Sequence, residues 1–150
     1  MYGTTFSTAL ASLTLALLAP TACTPASASP AQEDPRFELR SDLSHDCLGT
    51  DGSTLTLRGC DGSAGQVWMA NDDGQFENVG TGVCLHSDEA GAVSVGECLD
   101  LPLLTWKPHT HDRVINSGTG FCLAAQDQGV SSSACGSGPS QTWTLIHRAP

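Results

Sequence analysis

The sequence predicts an all-β domain built from three copies of one unit, and three observations carry that reading. First, cysteines and tryptophans recur in fixed phase: Cys47, Cys60 and Trp68, then Cys84, Cys98 and Trp106, then Cys122, Cys135 and Trp143. The two cysteines of a copy lie 13, 14 and 13 residues apart, and each Trp follows its second Cys by 8. Second, Ser53-Thr54-Leu55-Thr56-Leu57 and Ala92-Val93-Ser94-Val95 alternate with period two, as half-buried strands do, while no segment holds a 3.6-residue apolar period. Third, turn dipeptides punctuate the chain at Asp51-Gly52, Asp61-Gly62, Asp73-Gly74, Ala90-Gly91 and Ser117-Gly118. Short strands at such spacing argue for a barrel or sandwich.

The chain opens with a segment of another character. Leu10–Ala19 is an apolar run of ten residues, too short to span a bilayer and suited to the core of a signal peptide, although no Lys or Arg precedes it. Two exits from this leader compete. Ala26-Ser27-Ala28 forms a small-x-small cleavage site, which makes residues 1–28 the signal peptide. Thr21-Ala22-Cys23 resembles a bacterial lipoprotein box, in which the signal ends before Cys23 and that thiol is acylated. Residues 24–35, rich in Pro, Ala and Ser and poor in bulky apolar groups, read as a disordered linker. The folded domain is expected over residues 36–150.

Charge and cysteine content bound the function. Sixteen acidic residues against six basic ones give a formal charge of −10, all of it placed after position 32. Phosphate backbones and anionic headgroups are held by clusters of Lys and Arg, so nucleic acid is excluded as a partner, and a membrane is reached only through a lipid on Cys23. Seven cysteines in so short a chain imply an oxidising compartment, hence a secreted or cell-surface protein.

Within each copy the cysteines flank a strand, a tight polar turn and a second strand. That arrangement brings the sulfurs together and predicts Cys47–Cys60, Cys84–Cys98 and Cys122–Cys135. Leu39, Phe76 and Val114 each stand 8 residues before a first Cys, and Leu48, Leu85 and Leu123 follow it. Trp68, Trp106 and Trp143, at equivalent positions, read as three wedges of one shared core.

The copies then show a family likeness. Gln66-Val67-Trp68 and Gln141-Thr142-Trp143 resemble the QxW signature of ricin B-type lectin domains, and the middle copy carries Leu104-Thr105-Trp106 instead. Gln75-Phe76-Glu77-Asn78 before Gly82-Val83-Cys84-Leu85, and Arg113-Val114-Ile115-Asn116 before Phe121-Cys122-Leu123, resemble it too. The resemblance implies a β-trefoil: twelve strands, a six-stranded barrel capped by three hairpins, Gln66 and Gln141 as structural glutamines, and up to three shallow sugar sites.

The family's sugar-binding positions are degenerate here. Its Asp, two residues after the first Cys, is replaced by Gly49, His86 and Ala124. Its stacking aromatic, two before the second Cys, is replaced by Arg58, Gly96 and Ser133, and its Asn, three before the Trp, by Gly65, Leu103 and Ser140. A shallow site needs a carboxylate for hydroxyl protons and a flat face for the sugar ring. If the strands continue past these positions, Asp51, Asp88 and Gln126 point to the same side, with His86 beside Asp88 as the richest cluster. The plainer reading is that they are turn residues.

Other chemistry finds no support. His109-Thr110-His111-Asp112 occupies an inter-repeat turn and reads as a hydrated loop, Asn71-Asp72-Asp73-Gly74 lacks calcium-loop spacing, and no metal or other cofactor is called for. Six cysteines are committed to disulfides, no Gly-x-Ser-x-Gly elbow occurs, and no cleft with paired carboxylates is evident, so no enzyme is expected. The partner is a glycan, bound weakly or at a noncanonical site. The alternative is a trefoil that has lost sugar binding and contacts another protein. Any enzyme working with it is expected to be a separate chain.

Overall fold

The computed structural model describes residues 35–148. The leader, Cys23 with its lipid-anchor alternative and the linker before Pro35 lie outside the described residues. Twelve strands run in chain order: β1 (Arg36–Ser41), β2 (Cys47–Thr50), β3 (Leu55–Arg58), β4 (Val67–Ala70), β5 (Phe76–Asn78), β6 (Cys84–Ser87), β7 (Val93–Gly96), β8 (Trp106–His109), β9 (Arg113–Asn116), β10 (Cys122–Ala125), β11 (Val130–Ser133) and β12 (Trp143–His147). Three short 3-10 turns, Ala64–Gln66, Pro102–Leu104 and Pro139–Gln141, precede β4, β8 and β12.

Six strands close a barrel. β1 pairs with β4 and β12, β4 with β5, and β8 with β9, all antiparallel. β5 meets β8 through a Gln75–Thr105 bridge and a bond from the Trp106 amide to the Gly74 carbonyl. β9 meets β12 where the Trp143 amide donates to the Asp112 carbonyl at 2.7 Å. The hairpins β2–β3, β6–β7 and β10–β11 supply the remaining strands. This is the β-trefoil that the resemblance implied.

The repeated landmarks explain the closure. Leu39, Phe76 and Val114, the three leucines after the first cysteines and the three tryptophans are all buried in one cluster. Each indole N–H donates to the carbonyl of the Leu after the first Cys, Trp68 to Leu48, Trp106 to Leu85 and Trp143 to Leu123, at 2.9 Å in every copy. A buried Trp keeps its hydrophobic gain only when its N–H is satisfied, and here the neighbouring hairpin satisfies it. Phe37 packs edge-on against Phe76 with ring centroids 5.0 Å apart. All three predicted disulfides form, each tying a hairpin strand to the loop beyond it.

Copies are stitched by two buried asparagines. Asn78 Nδ2 donates to the carbonyls of Gly65 and Val67, while its Oδ1 accepts from the amides of Gly80 and Thr81. Asn116 repeats this, donating to the Leu103 carbonyl and accepting from the amides of Gly118 and Thr119. Each therefore fixes the 3-10 turn of the preceding copy. Ser41 stands at the equivalent position of the first copy, and its hydroxyl accepts the short-range Leu43 amide bond at 3.2 Å.

The hairpin tips also meet. Gly91 adopts φ +93°, and a Cβ there would lie 2.3 Å from the Ser132 carbonyl oxygen. The Ser132 amide donates to the Gly91 carbonyl at 2.8 Å, and the Ser87 and Ser132 hydroxyls share a buried 2.6 Å bond. Gly91→Ala should therefore destabilise the protein by about 2–4 kcal/mol, since strained φ and a backbone clash add. A denaturant midpoint unchanged from that of the parent would sink this reading of the contact.

Candidate functional site

The first copy builds a polar pocket between its hairpin and its 3-10 turn. A cavity of about 130 Å³ is lined by Gly49, Thr50, Asp51, Thr56, Arg58, Asp61, Ser63, Gly65 and Gln66. β2 and β3 provide the hairpin side, and the loop after Cys60 provides the other. That loop is shaped by Gln66, whose Nε2 donates to the carbonyls of Arg58 and Gly59 and whose Oε1 accepts the Asp61 amide at 2.8 Å. The buried structural glutamine thus sets the positions of Arg58 and Asp61. Gln141 does the same in the third copy, holding the Ala134 carbonyl and the Gly136 amide.

Gly49 floors the pocket at the position of the family's carboxylate. A Cβ there would stand 3.0 Å from Gln66 Cγ and 3.2 Å from the Gly65 carbonyl oxygen. The 3-10 turn has closed over that position, so the space a side chain needs is filled by the chain itself. The carboxylate on the loop side of the pocket is Asp61, whose Oδ1 accepts the Ser63 amide at 2.8 Å. The hydroxyl and amide of Ser63 hold its carboxyl below the usual carboxylate range, so it is an ionised acceptor at neutral pH. Arg58 lies across from it, exposed, with Nη2 3.4 Å from the Thr56 hydroxyl.

Asp51 sits at the rim, but its strand does not continue. β2 ends at Thr50, and Asp51 Oδ1 accepts the amides of Ser53 and Thr54 together with both their hydroxyls. The amides of Thr54 and then Ser53 are the largest causes that drive its carboxyl far below the usual range. Asp88 behaves alike: β6 ends at Ser87, and its Oδ1 accepts the amides of Ala90 and Ala92 at 2.9 and 2.8 Å. Gln126 follows β10 and donates to the Ser131 hydroxyl at 2.9 Å. His86 lies on β6, its Nδ1 3.4 Å from the Ser94 hydroxyl, while Asp88 turns to its own hairpin. These four residues occupy three separate hairpins, so the structure does not gather them into one site.

The three copies differ at the pocket position. Counted from the second cysteine, Asp61, Ser63 and Gln66 correspond to Leu99, Leu101 and Leu104 in the second copy and to Gly136, Gly138 and Gln141 in the third. Arg58 corresponds to Gly96 and Ser133. The position is charged in the first copy, apolar in the second and neutral in the third. By sequence alone Arg58 stands at the family's aromatic position and Asp61 in a turn dipeptide; the signal for both is Gln66, whose bonds reach that loop. Among the described residues no group of three or more His, Cys, Asp or Glu is placed to hold a metal ion.

Residues 35–144 match the family model of the ricin-type β-trefoil lectin domain. No curated protein sequence matches the chain. Among solved structures, it is similar to the hemolytic lectin CEL-III at 22% identity and TM-score 0.66, over 74% of this chain and 30% of that one. It thus spans under a third of that protein's length. The C-half of the earthworm R-type lectin, solved with GalNAc, aligns at 12% identity and TM-score 0.66 over 76% of this chain and 99% of that one. The β-trefoil lectin of the Vibrio vulnificus hemolysin/cytolysin, solved with N-acetyl-D-lactosamine, aligns at 18% identity and TM-score 0.66 over 77% and 96%. At these identities the likeness is one of fold.

Proposed function

The chain belongs to the ricin-type β-trefoil lectin family, and from that premise we propose that it is an extracellular carbohydrate-binding module whose working site is the first-copy pocket. The observation that carries this reading is the convergence of Asp61, Arg58 and Thr56 on one cavity, with Asp51 at its rim. A sugar presents paired hydroxyls, each a donor and an acceptor. Asp61 accepts from one, Arg58 donates to its neighbour, and the Thr56 hydroxyl serves either role. Arg58 takes the place of the family's stacking ring; its guanidinium is planar and weakly hydrated, so it covers a sugar face less well than an aromatic ring does. Affinity is accordingly low, on the order of 1 mM for a monosaccharide, near −4 kcal/mol. The neighbours solved with GalNAc and N-acetyl-D-lactosamine support a glycan ligand. His86, Asp88 and Gln126 stand on the hairpins of the other copies, where each is bonded within its own hairpin. Three disulfides suit an oxidising location outside the cell. The module itself has no catalytic role.

Titration of the oxidised protein with mono- and oligosaccharides, followed by calorimetry or nuclear magnetic resonance, tests this. Asp61→Asn and Arg58→Ala should each weaken binding about tenfold or more, because each removes a charge-assisted hydrogen bond. Asp88→Asn should change it little. Absence of any saturable sugar binding by a folded protein would remove the lectin reading, and the trefoil would then act through protein contacts.

A further inference from the structure

We propose that the second copy docks a basic, aliphatic segment of another protein in its apolar pocket. A cavity of about 210 Å³ is lined there by His86, Gly96, Glu97, Leu99, Leu101 and Leu104. It occupies the place that the charged pocket takes in the first copy, with Asp61, Ser63 and Gln66 each replaced by leucine. Leu104 is buried and forms the floor. Leu99 and Leu101 remain 48% and 45% exposed, and they are two of the four large apolar side chains left exposed among the described residues. Both lie on one loop, Glu97-Cys98-Leu99-Asp100-Leu101, which Cys84–Cys98 ties to β6. Adjacent exposed leucines around a preformed cavity are a contact surface in a protein of otherwise acidic character.

The size and charge of the pocket name the occupant. Its leucine lining gives a sugar's hydroxyls few partners, unlike the charged wall of the first-copy pocket, and it accommodates one or two aliphatic side chains, as an anchor pocket at an interface does. Glu97 stands in its wall and Asp100 lies between the two exposed leucines, both solvent-facing. The chain as a whole carries −10. A second copy brought against this face would set the same carboxylates opposite each other, which costs affinity and slows encounter. A partner that offers Leu, Ile or Met flanked by Lys or Arg meets both features: the apolar side chain enters above Leu104, and the cations pair with Glu97 and Asp100. The contact is independent of the first-copy sugar pocket, so one module joins a glycan on one hairpin to a protein on the next.

The test uses two labelled synthetic peptides, one alternating Lys and Leu and one alternating Lys and Ser, titrated into the whole oxidised protein and read by fluorescence anisotropy. The Leu peptide should bind at least about tenfold more tightly, the worth of burying one aliphatic side chain. Leu99→Ser with Leu101→Ser should erase that preference while leaving the disulfides and any sugar binding intact. Glu97→Gln with Asp100→Asn should weaken the Leu peptide several-fold and flatten its salt dependence. Asp72→Asn with Asp73→Asn, an equal charge change in the β4–β5 turn, should not. Equal binding of the two peptides, or equal loss from both acidic pairs, would mean mere attraction to an acidic surface and would overturn the proposal. So would a concentration-dependent dimer that the double leucine variant dissolves, because a second copy would then be the occupant.

Discussion

Reduction of all three disulfides should unfold the domain. Cys47–Cys60, Cys84–Cys98 and Cys122–Cys135 close loops of 13, 14 and 13 residues. In the loop-entropy model each closure of that size contributes about 3 kcal/mol, so the set contributes about 9. A domain of this size retains only about 5–15 kcal/mol in all. The cross-links therefore amount to most of the margin, as expected of a small unit whose core is three tryptophans and a ring of leucines. Cys47, Cys84 and Cys122 are buried on their strands, but Cys60 and Cys135 are exposed, which gives a thiol reductant a point of attack. Indole emission reports the result directly, since all three tryptophans leave a dry core together. The emission should shift to the red on reduction and return on reoxidation. Reduced protein that keeps native emission would show that hairpin pairing and packing suffice without the cross-links. Removing single pairs as Cys→Ala should cost about 3 kcal/mol each, and nearly equally, because the loops are nearly equal.

Most of the fold was legible because its landmarks are fixed by geometry repeated three times. The tryptophan spacing is the distance along the chain from a disulfide to the barrel wall, and the leucine after the first Cys is the group whose carbonyl each indole needs. Neither position tolerates drift in a closed barrel, so both stay in phase. The site was less legible for two physical reasons. A period-two pattern does not announce where a strand stops, and Asp51 and Asp88 stop theirs by offering side-chain bonds that compete with the ladder. Carboxylates that look placed for a ligand are thus spent on the hairpins, with Gly52 and Gly91 at positive φ completing the turns. The second reason is that pocket walls come from irregular loops. Asp61 and Leu99 are turn residues by sequence, and each loop is held to its cavity by a side chain from elsewhere: Gln66 accepts the Asp61 amide, and Gln75 Nε2 donates to the Leu99 carbonyl above Leu104. The loss of Gln from the middle copy was visible, while its consequence depended on which residues converge around Leu104.

The tryptophans provide the sharpest separation of core from ligand platform. Trp106→Ala should cost about 3–5 kcal/mol, the usual range for deleting a fully buried aromatic, and leave the Leu85 carbonyl unpaired as well. Trp106→Phe keeps most of the apolar body and loses the indole N–H, so its cost is expected near 1–3 kcal/mol. Because Trp68 and Trp143 make the same 2.9 Å bond from equally buried positions, the three Phe variants should lose stability by similar amounts. Their effects should not simply add, since the three rings share one cluster and a void left by one can relax into the space of another. Denaturant midpoints of the single and double variants measure both points. Sugar titration of the Phe variants, under conditions where they are fully folded, completes the test. Rings exposed to 0–1% have no face to offer a ligand, so binding in the first copy should survive Trp68→Phe as long as the fold does. Loss of sugar binding at unchanged stability would instead place an indole at the binding surface. The burial of the three rings opposes that outcome: their role is to bring the hairpins to the barrel, which in turn holds Gln66 and the pocket it shapes.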